Sequence, residues 1–132
     1  VRRLWTAAAA ALLVAPGCGG RSSHGDAARF CTRLEHLSEN DPFRVFGARA
    51  TNQDIRTAFE ALVQRSRELA DVAPPEVKPT AEAYARASAR MDSLMAGAGY
   101  DGSAVDAPAY RAAQLDYTAA STRLVRYLTS EC

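Results

Sequence analysis

The chain has 132 residues, a formal net charge of +1, 48% hydrophobic residues and 23% charged residues. That length fits one small domain, and the near-neutral balance with no basic stripe does not suggest nucleic acid, so no nucleic-acid partner is expected. Three cysteines, Cys18, Cys31 and Cys132, leave one to explain if the protein is exported.

Val1 is followed at once by Arg2 and Arg3, then by Leu4-Trp5-Thr6, a run of alanines and Leu12-Leu13-Val14. A charged n-region before an apolar h-region predicts a secretory signal peptide over residues 1–17. The apolar run falls short of the roughly 20 residues that a membrane span needs. It has no polar face and ends in Pro16-Gly17, which argues against a buried helix. Arg2-Arg3 lacks the rest of a twin-arginine motif and reads as n-region charge.

Ala15-Pro16-Gly17-Cys18 resembles a bacterial lipobox. In that family the cysteine sulfur takes a diacylglyceryl group, and the cysteine becomes the mature N-terminus. The resemblance implies lipidation of Cys18 and attachment to the outer face of the cell membrane. Two positions depart from the family: Ala15 stands where Leu is preferred, and Pro16 is unusual. Ala15 and Gly17 also fit an ordinary A-x-A-like cleavage site, so simple secretion is the alternative. With Cys18 lipidated, Cys31 and Cys132 remain and can pair. Without Arg2 and Arg3 the net charge falls from +1 to −1.

Residues 18–25 form the predicted tether, since Gly19 to His24 is a Gly/Ser/Arg stretch. Residues 26–132 then read as one helical domain. Residues 26–39 place Ala27, Phe30, Cys31, Leu34 and Leu37 at helical spacing, with Asp26 as the expected N-cap. Residues 51–73 open with Thr51-Asn52-Gln53-Asp54, close to a capping box, and carry Ile55, Phe59, Leu62, Ser66 and Leu69 on one face. Residues 76–96 repeat Val77, Ala81, Tyr84, Ser88, Met91 and Met95 at spacings of three and four. Pro79 there implies a short turn at 75–78 before the regular helix. Residues 107–130 carry Tyr110, Ala113, Tyr117, Ala120, Leu124 and Leu128, with Pro108 suited to a first turn.

Asn40-Asp41-Pro42, Ala73-Pro74-Pro75 and Gly97 to Gly102 separate the helices. Four amphipathic helices with short connections predict an all-α, antiparallel up-down-up-down four-helix bundle. In that topology the first helix starts where the fourth ends. Cys31 and Cys132 are therefore expected together, in an oxidising compartment.

Motifs for chemistry are lacking. No H-E-x-x-H, C-x-x-C, G-x-S-x-G or P-loop pattern occurs, so no enzyme activity, metal or cofactor is expected. His36 beside Glu35 and Glu39 reads as a solvated face. Met91 and Met95 could in principle ligate haem, but their core spacing favours packing.

The connection Asp41 to Arg49 is too apolar for a simple turn. Phe43, Phe46 and Tyr100, flanked by Arg44 and Arg49, are of the residue types enriched in interface hot spots. They are the candidate contact patch for a partner protein at the membrane-distal end; the competing expectation is that Phe43 and Phe46 fold inward and cap the core. A second possible function is carriage of a small apolar ligand between the helices near Tyr84, Tyr117 and Met91.

Several features together resemble the short, cysteine-anchored helical exported proteins of actinobacteria: the signal, Phe30-Cys31, Ala73-Pro74-Pro75-Glu76 and the Cys132 position. Abundant alanine, with Lys78 as the one lysine, agrees with a high-GC coding sequence. The resemblance implies a membrane-tethered, non-enzymatic interaction module and brings no catalytic residues.

Overall fold

Two of the long helices start where a side chain satisfies a free backbone N–H of the first turn. The computed structural model describes residues 22–46 and 49–132. Among these residues there are four α-helices and no strand: α1 (Ser22–Glu39), α2 (Asn52–Asp71), α3 (Lys78–Gly97) and α4 (Ala107–Glu131), with a short 3-10 turn at Pro42–Val45. Thr51 caps α2 in a reciprocal box. Its hydroxyl accepts from the Asp54 N–H at 3.2 Å, and its own N–H donates to the Asp54 carboxylate at 2.8 Å. The Thr51 N–H, and secondly its hydroxyl, hold the Asp54 carboxyl below the usual carboxylate range. Asp106 caps α4 by accepting from the Ala109 N–H at 3.1 Å. Pro79 sits in the first turn of α3, where its missing donor is harmless.

Asp26 is not the N-cap of α1. The helix begins four residues earlier, at Ser22, and Asp26 lies within it, 3.5 Å from Arg29. Gly25 costs a helix only about 1 kcal/mol relative to Ala, too little to stop the chain, and an acid this near the helix start is favoured by the macrodipole. Ser22 to Gly25, expected in the tether, are therefore helical. The predicted signal peptide (1–17), Cys18 and the rest of the tether lie outside the described residues.

The helices pack as a ring. The α1 backbone neighbours those of α2 and α4, that of α3 also neighbours both, and the diagonal helices meet through side chains such as Phe59 and Tyr110. Directions alternate. Arg33 of α1 donates to Glu68 of α2 at 2.9 Å, while Arg65, earlier in α2, donates to the carbonyl of Asn40, later in the chain than Arg33. Tyr84 of α3 meets Tyr117 of α4, and Tyr127 further along α4 reaches back to Glu76 before α3. The result is an antiparallel four-helix bundle.

Small residues bring α2, α3 and α4 close. Ala81, Ala87, Ala113 and Ala120 are buried, and Ser66 and Ser88 are fully buried. Each serine satisfies its hydroxyl within its own helix, donating to the Val63 and Tyr84 carbonyls respectively. α1 is held more thinly, with Phe30 and Leu34 as the buried side chains among residues 26–39.

The core divides along the bundle axis. One half gathers Phe30, Leu34, Leu62, Leu69, Val77 and Leu124, among others. The other gathers Phe59, Met91, Met95 and Ala113. Cys31 and Cys132 lie beside the first half with their sulfurs at bonding distance and their Cα atoms 5.7 Å apart. The topology predicted this meeting.

Candidate binding site

α1 ends at Glu39, yet α2 extends further along the bundle, so the chain must cover the remaining apolar surface without a helix. Asp41 begins the covering segment by accepting from the Phe43 N–H at 2.9 Å, which caps the 3-10 turn. That turn drives the Phe43 ring inward. It lies edge-on to Phe59 at 5.6 Å and to Tyr117 at 5.9 Å, and it touches both halves of the core.

Phe46 packs on Phe43 at 5.2 Å and on Phe59 at 6.1 Å, but stays 36% exposed. Tyr100 reaches Phe59 at 6.4 Å from the loop after α3. The three aromatics of the candidate patch are thus brought together on one residue, Phe59. Phe43 serves the core, Phe46 forms the rim, and Arg44 and Arg49 are exposed.

Tyr100 has a φ of +60°, a left-handed conformation that costs a bulky residue energy. Its hydroxyl donates to Asp92 at 2.9 Å, and its N–H donates to the Met95 carbonyl at 2.7 Å. Burial first, then the bond to Asp92, raises the Tyr100 phenol above its ordinary value.

Two recesses flank α4. The wider, about 520 Å³, runs between α3 and α4. Its floor includes Ala83, Ala87 and Ala119, and its rim carries the exposed Arg86, Arg90 and Arg123. Asp116 faces Arg90 at 3.9 Å.

The second, about 250 Å³, is a trough between α1 and α4. It exists because α1 stands off from α4. Leu34 and Leu37 form one wall, and Leu124 and Leu128 the other. Tyr84 and Tyr117 form the floor, with ring centroids 4.9 Å apart, planes tilted by 32° and hydroxyls 3.1 Å apart. Asp41 closes one end. Burial pushes the Tyr84 phenol well up, helped by Tyr117 and by the negative field of Asp41. Tyr117 is also raised, chiefly by burial. Both phenols are therefore neutral in the fold. Their folded values exceed the unfolded value near pH 10, so their contribution to stability is complete below that pH and is lost as pH rises above it.

Met91, expected beside such a site, is fully buried in the core instead. His36 is exposed and lies 3.9 Å from Glu39. Among the described residues no group of His, Cys, Asp or Glu is placed to hold a metal ion, and no helix is long and apolar enough to cross a membrane.

The role of Asp41 was not foreseen. An Asp two residues before Phe43, with Pro42 between them, is a turn-capping signal, but nothing in the sequence tells that this cap also ends a trough. No family model matches the chain, and no curated protein or solved structure matches it either.

Proposed function

We propose that the protein is a non-enzymatic binding module held at the outer face of the cell membrane by a lipid on Cys18. The observation that carries this reading is the Cys31–Cys132 pair at bonding distance. Disulfides persist in exported proteins and are rare in reducing cytosol. Pairing these two leaves Cys18 for the lipobox-like Ala15-Pro16-Gly17-Cys18 to use. Cys31 lies midway along α1 and pairs with Cys132 just past α4, so the start of α1 at Ser22 lies on the side of the bundle that the disulfide closes. Phe46, Arg44 and Arg49 lie toward the opposite end and would face a partner protein away from the membrane.

A second reading, carriage of a small ligand between the helices, is favoured by the trough over Tyr84 and Tyr117. Its 250 Å³ lies just below the range usual for drug-sized ligands.

Fractionation of the producing cell tests the tether. The wild-type chain is expected in the membrane fraction, and Cys18→Ser in the soluble fraction or the medium. Equal distribution of the two would contradict the proposal.

A further inference from the structure

We propose that the trough between α1 and α4 is a site for a small organic cation with an apolar body, such as an aryl- or alkylammonium. This rests on the ligand-carrier reading above and specifies its ligand.

Three features of the trough converge on that chemistry. Its walls are apolar, with Leu34, Leu37, Leu124 and Leu128 available to an uncharged body. Its floor is the pair Tyr84 and Tyr117, with ring planes tilted by 32°, and Phe43 stands edge-on to Tyr117. Electron-rich ring faces attract cations, more strongly where water is excluded. Its one charged lining residue is the Asp41 carboxylate, and no cationic side chain lines it.

Asp41 is fixed in place because one carboxylate oxygen, Oδ1, caps the 3-10 turn. The second oxygen has no partner among the described residues. Arg65 of α2 donates to the neighbouring Asn40 carbonyl. The field of Asp41 is felt at both phenols, where it disfavours their ionisation. The same field favours a bound cation. Tyr84 and Tyr117 bond each other and Ser38 donates to the Glu35 carbonyl, so these hydroxyls demand no polar ligand group, while Ser121 also lines the trough.

The test uses the oxidised full chain with two soluble probes of similar shape, benzyltrimethylammonium and benzyl alcohol. Binding is read from amide shifts of Leu37, Ser121 and Leu124. Asp41→Asn removes the charge, while Asn still caps the turn. The cation is expected to shift these amides in the wild type and to bind a few-fold more weakly to Asp41→Asn, the size of effect expected when an exposed carboxylate loses its charge. Benzyl alcohol should be weaker and indifferent to the substitution. If both probes shift the trough equally and Asp41→Asn changes neither, the carrier reading survives and the cation inference falls. If neither shifts it, both fall.

Discussion

Replacing Cys31 and Cys132 together by Ser is expected to lower the stability of the bundle by about 4 kcal/mol. The two residues are 101 positions apart, and the chain-entropy model gives about 4.7 kcal/mol for a loop of that size, within a usual range of about 2–5. The melting temperature should fall by on the order of 15 °C or more. α1 should respond most, because it is held to α2 and α4 by few buried side chains, Phe30 and Leu34 foremost. Thermal melts of the variant, and of the wild type with and without reductant, check this. A shift below about 5 °C would show that burial alone holds α1 in place.

The second large effect is expected at Phe59. Its ring is 2% exposed and meets Phe43, Phe46, Tyr100 and Tyr110. Phe59→Ala removes the common support of the connection after α1 and the loop after α3, and should cost about 3–5 kcal/mol, the range for a buried Phe. Phe46→Ser, at the exposed rim, should cost about 1 kcal/mol or less. The contrast matters for function. If Phe46→Ser leaves the melt unchanged and abolishes capture of a partner, the rim is a contact surface. If it lowers stability as Phe59→Ala does, Phe46 belongs to the core and the patch reading fails.

These residues also mark how far the sequence could be read. The start of α2 was legible because Thr51 and Asp54 bond each other across one turn, a purely local interaction. The meeting of Cys31 and Cys132 followed from helix count and alternating direction alone. Asp26 misled because capping side chains also occur inside helices, and neither it nor Gly25 outweighs a helix already begun at Ser22. Phe43 was placed in the right neighbourhood, but which way its ring turned depended on α1 stopping short and leaving Phe59 and Tyr117 uncovered. The trough was the least legible feature. It depends on the distance between α1 and α4, which arises from side-chain volumes on helices far apart in sequence.

The central claim, a disulfide-closed bundle tethered through Cys18, is tested most directly by the intact mass of the protein from the membrane fraction of its native host, with and without reductant. The account predicts a chain that begins at Cys18, carries a diacylglyceryl lipid, and gains the mass of two hydrogens on reduction. A lipid-free chain recovered from the medium, or a mass unchanged by reductant, would contradict it.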